Sequence, residues 1–214
     1  MARPDLTHRR LYGILDLAYV EPIAAERVAA DLVRGGVDLL QLRGKGQSVA
    51  ELEELAIRLH PITRAEGIPL VINDHATVAR AVRSEGIHVG QDDASVAEAR
   101  LAAGPDCLVG KSTHSVAQAV AAAEEGADYI GFGPLFATPT KPDYTPIGIA
   151  QIREVHARVR IPIFCIGGIK LENLAALVAA GARRVVIVSG LLQAADVAEY
   201  ARAAREMLAA NQEK

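Results

Sequence analysis

Eight short apolar runs recur along the chain, and each is followed by a longer segment with apolar residues at helical spacing. The first run covers residues 11–16 and the last covers residues 184–188. Apolar strands that alternate with helices are typical of a parallel sheet covered by helices. Eight such units predict an α/β fold, a (β/α)8 TIM barrel in a single domain over residues 1–214, with residues 1–10 as an N-terminal extension.

A doubly wound open sheet is the alternative fold for this pattern. Such sheets usually have fewer strands, and no glycine fingerprint for a dinucleotide follows the first run. The closed barrel is therefore favoured.

Composition and charge exclude several classes of function. The net charge is −3 and the pI is about 6.1, which disfavours nucleic acid or an anionic membrane as partner. Cys107 and Cys165 lie in apolar runs, as expected for buried free thiols in a reducing compartment. No signal-like or membrane-spanning run is present, so we expect a cytoplasmic protein. A homo-oligomer is compatible with the sequence.

Polar residues follow every apolar run from the second onward. In a TIM barrel these positions form the rim that carries the active site. They are Gln41, Arg43, Lys45, Asn73, Asp74, Gln91, Asp92, Asp93, Lys111, Ser112, His114, Thr138, Thr140, Lys141, Gly167, Gly168, Ser189 and Gly190.

Two anion subsites are predicted on this rim. Residues 167–168 and 189–190 follow the last two strands, where barrels commonly bind a phosphate through backbone N–H groups. Ordinary turn glycines and a helix cap are the alternative for these positions. The sixth run ends in Gly-Phe-Gly-Pro, residues 131–134, and the loop that follows, to residue 142, carries threonines and a lysine that suit an anion.

The second subsite combines cations with carboxylates. Arg43, Lys45 and Lys141 are expected near Asp74 and Asp92. These groups could simply pair with one another. On one rim they better fit a diphosphate bridged by Mg²⁺, which takes one or two carboxylates plus phosphate oxygens.

No side chain stands out as a nucleophile. Ser112 and His114 could form a nucleophilic pair, but a hydrogen-bonded loop is favoured, and His88 is expected to be a core residue. One monophosphate pocket and one metal–diphosphate pocket together predict transfer of an activated group, with diphosphate leaving.

Several motifs, in order and at matching spacing along almost the whole chain, resemble the thiamine-phosphate synthase family. They are residues 41–46 (QLRGKG), 72–74 (IND), 87–93 (IHVGQDD), 109–115 (VGKSTHS), 127–136 (ADYIGFGPLF), 138–141 (TPTK), and 166–169 (IGGI) through 188–189. The resemblance implies a transferase in a (β/α)8 barrel. Such an enzyme joins an aminopyrimidine methyl diphosphate to a thiazole phosphate, through a pyrimidine carbocation, and releases diphosphate with Mg²⁺.

The resemblance also implies roles for individual residues. The pyrimidine diphosphate would contact Gln41, Arg43, Lys45, Asn73, Ser112 and Lys141. Of these, Arg43, Lys45, Ser112 and Lys141 would be catalytic. Asp74 and Asp92 would bind Mg²⁺, and the thiazole phosphate would contact Thr138, Thr140, Gly168, Val188 and Ser189.

Two departures from the family pattern are present. Gly44 replaces a glutamate that is usual in the first motif, which could loosen that loop and weaken diphosphate binding. Residues 142–146 also differ from the usual lysine- and alanine-containing run.

Two other functions stay open at this point. A related thiazole tautomerase would use His114 as acid–base group and would not need the carboxylate pair. A non-catalytic barrel could bind thiazole or thiamine phosphates. Retention of Asn73, Asp74, Asp92 and Lys141 favours the synthase.

Overall fold

The computed structural model describes residues 3–138 and 145–210. Eight parallel strands form a closed barrel in chain order. They are β1 (Leu11–Asp16), β2 (Leu39–Arg43), β3 (Leu70–Asn73), β4 (Gly86–Val89), β5 (Leu108–Thr113), β6 (Tyr129–Phe132), β7 (Ile163–Cys165) and β8 (Val185–Ile187). Gly13 of β1 pairs with Leu40 of β2 on one side and with Ile187 of β8 on the other, which closes the sheet. The TIM barrel prediction is confirmed.

Helices cover the outside of the barrel. They are α1 (Ala25–Arg34), α2 (Val49–Ala65), α3 (Ala76–Val82), α4 (Val96–Ala103), α5 (Val116–Glu124), α6 (Ile152–Arg158), α7 (Leu171–Ala179), α8 (Ser189–Leu192) and α9 (Val197–Ala209). Ser48 caps α2 and exchanges hydrogen bonds with Glu51, which forms a capping box. Within the described ranges, no helix is both long and apolar enough to cross a lipid bilayer.

The core has two parts. An aliphatic layer lies between the strands and the helices, and it includes both cysteines, which are buried free thiols as predicted. A second cluster fills the inside of the barrel, and its largest members are Tyr12, Tyr129 and Phe164. Their rings pack edge to face with centroids 5.4–6.0 Å apart. The barrel interior is therefore packed, and any pocket must lie above this aromatic layer.

The N-terminal segment closes the end of the barrel opposite the predicted rim. Leu6 is 4% exposed and packs into the inner cluster. Arg3 forms an ion pair with Asp128 at 2.8 Å, and Arg184 donates to the carbonyl oxygen of Thr7. The described part of the predicted extension is thus packed against the barrel.

The structure differs from the sequence-based boundaries at two places that matter for the site. Strand β5 continues through Thr113, whereas the apolar run ends at Gly110. The short helix α8, which begins at Ser189, was not expected. Strand β6 ends at Phe132, before the Gly133-Pro134 bond, as the glycine and proline predict.

Candidate active site

A pocket opens at the C-terminal ends of the strands. The space between its walls is about 800 Å³, a figure that includes open solvent at its mouth. Its lining comes from every strand of the barrel or from the residues that follow it. The lining residues are Ile14, Asp16, Gln41, Arg43, Asn73, His88, Ser112, Thr113, His114, Gly131, Gly133, Pro134, Thr138, Ile166, Gly167, Gly168, Ile169, Val186, Val188 and Ser189.

The pocket brings together most of the residues predicted to bind substrate. Those in its lining are Gln41, Arg43, Asn73, Ser112, Thr138, Gly168, Val188 and Ser189. Lys45, Asp74 and Asp92 are not among the lining residues. Thr140 and Lys141 lie outside the described residues. The roles of all these residues stay predictions.

Arg43 is held by a carboxylate that the sequence analysis missed. Asp16 is 1% exposed, and its Oδ2 accepts a hydrogen bond from the Arg43 guanidinium at 2.5 Å. Its Oδ1 accepts from the backbone N–H of Ala18 at 3.0 Å. Asp16 and Arg43 are direct register partners on β1 and β2, so strand pairing itself brings them together. A buried, charge-assisted contact of this kind fixes the orientation of the guanidinium at the pocket wall.

A mixed cluster of charges lies outside the pocket lining, after β2, β3 and β4. The Lys45 ammonium is 2.7 Å from Asp74 Oδ2, and the Asp93 carboxyl group is within hydrogen-bonding reach of Asp74. Burial raises the pKa of Asp74 above its ordinary value; Lys45 opposes this shift, and Asp93 adds to it. The backbone of Asp74 is left-handed, with φ of 61°, a conformation that costs free energy in a residue other than glycine.

This cluster suits a divalent cation that takes most of its ligands from a bound phosphate substrate and from water. In the described part of the chain, no three His, Cys, Asp or Glu side chains form a metal-binding group. Mg²⁺ would nevertheless offset the repulsion between the adjacent carboxylates of Asp74 and Asp93, and it typically takes the rest of its ligands from phosphate and water. The carboxyl group beside Asp74 belongs to Asp93, the residue after the one predicted, and Asp92 as ligand stays a prediction.

Ser112 contacts a different histidine from the one considered in the sequence. His88 Nε2 is 3.0 Å from Ser112 Oγ, whereas His114 Nδ1 is bonded to the carbonyl oxygen of Gly133. His88 is 9% exposed, so its expected burial is confirmed, but it also lines the pocket. The cause is the register: His88 pairs with Gly110, and Ser112 lies two residues further on the same face of β5.

The glycines after β7 let the loop after β6 pack against them. Both have positive φ, and a side chain at Gly167 would collide with Pro134. The Leu135 N–H donates to the carbonyl oxygen of Ile166 at 2.8 Å. The Ile147 N–H donates to the carbonyl oxygen of Pro134, also at 2.8 Å. These two bonds form a neck at the base of the loop, and Thr138 lies on the pocket side of it. The turn-glycine alternative therefore explains Gly167, while an anion contact at Gly168 stays a prediction.

Gly44, the departure from the family pattern, lies in a packed position. A Cβ atom there would be 2.8 Å from Leu52 Cδ2, 2.9 Å from Leu17 Cδ1 and 2.9 Å from Gln47 Oε1. A larger residue would have to displace these side chains. The glycine thus allows the loop after β2 to pack closely between its neighbours.

Comparisons with known proteins point to one family. A family model described as thiamine monophosphate synthase matches residues 11–191. The thiamine-phosphate synthase of Chloroflexus aurantiacus is 41% identical over 206 residues, 96% of this chain and 95% of that protein. The enzyme of Shouchella clausii is 41% identical over 205 residues, 95% of this chain and 97% of that protein.

A solved structure extends the likeness to three dimensions. The thiamine phosphate pyrophosphorylase of Pyrococcus furiosus superimposes with a TM-score of 0.87 at 28% identity, covering 95% of this chain and 97% of that one. The family model, the relatives and the barrel agree, and the chain belongs to the thiamine monophosphate synthase family.

Proposed function

We propose that this protein is a transferase that joins an aminopyrimidine methyl diphosphate to a thiazole phosphate and releases diphosphate, giving thiamine phosphate. One observation carries the proposal beyond family membership. Two chemically different groups of residues lie at one end of the barrel. Cations and carboxylates lie at the ends of β1 to β4, and uncharged hydroxyl and glycine residues lie in the loops after β6 to β8. Such a division suits two phosphorylated substrates held side by side.

The reaction needs no nucleophilic side chain. The bond between the pyrimidine methylene carbon and the diphosphate oxygen breaks, and the electron pair leaves with diphosphate. The lone pair of the thiazole nitrogen then forms the new carbon–nitrogen bond. The protein must stabilise the charge on the departing group and align the acceptor behind the carbon.

Arg43 is the best-placed group for the departing diphosphate, because Asp16 fixes its guanidinium at the pocket wall. We assign the same role to Lys45 and Ser112, and to Lys141 on the strength of the resemblance. Asp74 and Asp93 would hold Mg²⁺, which supplies further neutralisation of diphosphate charge when bound. On the opposite side, Thr138, Gly168 and Ser189 would contact the thiazole phosphate.

The test is incubation of the purified protein with both substrates, with and without Mg²⁺, and measurement of thiamine phosphate. We expect product only with both substrates present, and a large loss when the metal is chelated. A protein that interconverts thiazole phosphate tautomers without forming thiamine phosphate would be a tautomerase. A protein that binds the phosphates without turnover would be a carrier, and either result contradicts the proposal.

A further inference from the structure

Five side chains form one continuous hydrogen-bonded chain beneath the pocket. Gln41 Nε2 donates to the Tyr12 hydroxyl at 2.5 Å, and the hydroxyls of Tyr12 and Tyr129 are 3.1 Å apart. The Tyr129 hydroxyl is 3.2 Å from His88 Nδ1, and His88 Nε2 is 3.0 Å from Ser112 Oγ. The chain therefore links Gln41 on β2 with Ser112 on β5, and both of these residues line the pocket.

The middle of this chain is dry and rigid. Tyr12 is 1% exposed, and Tyr129 is fully buried. Burial raises the pKa of both tyrosines, so both remain neutral phenols that can donate one hydrogen and accept another. Phe164 packs edge to face against both rings, with centroid distances of 5.4 and 5.7 Å. Neither hydroxyl can exchange its protein partner for bulk water.

A glycine makes the contact between β4, β5 and β6 possible. A side chain at Gly110 would collide with the Tyr129 ring and with His88 Nδ1. The local sequence of β5 thus keeps a space open for the Tyr129–His88 hydrogen bond. Packing alone does not require the polar atoms of these two residues to face each other there.

The donor at one end sets the direction of every bond in the chain. The Gln41 amide nitrogen only donates, so the Tyr12 hydroxyl accepts from it. Either tyrosine hydroxyl could donate to the other, but the buried hydrogen of Tyr12 has a partner within the chain only if Tyr12 donates to Tyr129. Tyr129 then donates to His88 Nδ1. This leaves the His88 proton on Nε2, from which it is donated to Ser112 Oγ. The hydroxyl hydrogen of Ser112 is left to point into the pocket, and the Gln41 carbonyl oxygen is left as an acceptor.

We propose that Tyr12, Tyr129 and His88 are positioning residues that fix Gln41 as an acceptor and Ser112 as a donor towards the substrate. The inference rests on the proposed function. The Gln41 oxygen would accept from an N–H group of the aminopyrimidine, and the Ser112 hydroxyl would donate to an oxygen of the departing diphosphate. If every hydrogen bond in the chain were reversed, Gln41 would offer a donor to the pyrimidine amine and Ser112 would offer an acceptor to the diphosphate. Recognition of the ring and stabilisation of the leaving group are therefore coupled through the barrel interior.

The direction of the chain can be measured without turnover. Nitrogen-15 NMR of histidine-labelled protein reports which ring nitrogen of His88 carries the proton, and the His88→Asn variant assigns the signals. We expect the Nε2–H tautomer, with Nδ1 unprotonated. The Nδ1–H tautomer or a doubly protonated ring would overturn the inference. This result holds even if the wild-type protein makes no thiamine phosphate, an outcome that would instead refute the proposed function.

The coupling is tested by a double-mutant cycle on kcat/KM. Tyr12→Phe and Ser112→Ala alter residues that Tyr129 and His88 separate in the hydrogen-bonded chain, so independent effects would multiply to within about twofold. We expect the double variant to lose at least about threefold less than the product of the single losses. Tyr129→Phe replaces Tyr12→Phe if the latter fails to fold. Losses that multiply would overturn the inference.

The matched control is Phe164→Leu combined with Ser112→Ala. Phe164 packs against both tyrosines but forms no bond in the chain. We expect these two losses to multiply. A coupling equal to that of Tyr12→Phe would show that the effect comes from packing of the aromatic layer and would overturn the inference.

A second readout is the choice between the aminopyrimidine diphosphate and an analogue that lacks the exocyclic amine. In Tyr12→Phe the Gln41 amide loses its fixed orientation, so we expect the preference for the amine to fall about tenfold. An unchanged preference, with the fold intact by circular dichroism, would contradict the role given to Tyr12.

Discussion

Replacement of Asp16 by asparagine tests how the pocket positions its cation. The carboxylate uses its two oxygens separately, one for Arg43 at 2.5 Å and one for the Ala18 N–H at 3.0 Å. Asparagine has a single acceptor oxygen and turns its amide nitrogen towards the other donor. Asp16→Asn therefore breaks one of the two contacts, whichever way the amide is oriented.

The expected magnitude follows from burial of the pair. Asp16 is 1% exposed and the Arg43 side chain 13%, so solvent screens their contact weakly. Loss of a charge-assisted hydrogen bond at such a site costs about 1.5–3 kcal/mol. If the misplaced guanidinium raises the activation free energy by the same amount, kcat/KM falls roughly 10- to 100-fold.

The assay is steady-state formation of thiamine phosphate, together with thermal unfolding. Asp31→Asn is the control, because Asp31 also contacts an arginine, Arg34, at 2.5 Å, but there the arginine side chain is 66% exposed. We expect that variant to keep the wild-type kcat/KM and to change the free energy of unfolding by no more than about 0.5 kcal/mol. Wild-type kcat/KM in a folded Asp16→Asn protein would refute the reasoning.

Three further results are expected. Asp74→Asn should raise the melting temperature at neutral pH while lowering activity. The raised pKa means that the charged form disfavours the fold, so this gain should vanish as pH falls below the ordinary value of 3.8, and a gain that persists in acid would contradict the assignment. Asp93→Asn should raise the Mg²⁺ concentration needed for half-maximal activity about tenfold or more. Asp92→Asn is the comparison, and a larger effect there would favour Asp92 over Asp93 as the second Mg²⁺ ligand. Leu6→Ala should lower the free energy of unfolding by about 2–5 kcal/mol in a denaturant titration and leave KM unchanged, and a loss under 1 kcal/mol would mean that the N-terminal segment adds little to the core.

The pattern of apolar runs was sufficient to predict the barrel and the end that carries the pocket. Each strand of a parallel sheet must be buried on both faces, so the runs are visible in the sequence, and their polar ends converge on one rim. The capping box at the start of α2 can likewise be read from the sequence, because Ser48 and Glu51 are only three positions apart.

Contacts between strands were not predictable in the same way. Asp16 looked like the last residue of an apolar run, and its contact with Arg43 follows from the register between β1 and β2. Ser112 was considered as a partner of His114, which is two residues away in sequence, because β5 seemed to end earlier than it does. Register depends on how whole strands pack, which no local pattern encodes.

The hydrogen bonds at the base of the loop after β6 separate the stability of the barrel from the substrate contacts of the loop, two properties that usually change together. The bonds from Leu135 to Ile166 and from Ile147 to Pro134 fasten the base of the loop to the barrel, whatever lies beyond Thr138. Lengthening a loop between fixed ends costs little, about 0.6 kcal/mol for each doubling of its length. Grafts from relatives between Thr138 and Thr145 should therefore leave the unfolding temperature of the barrel nearly unchanged, even where they alter substrate binding.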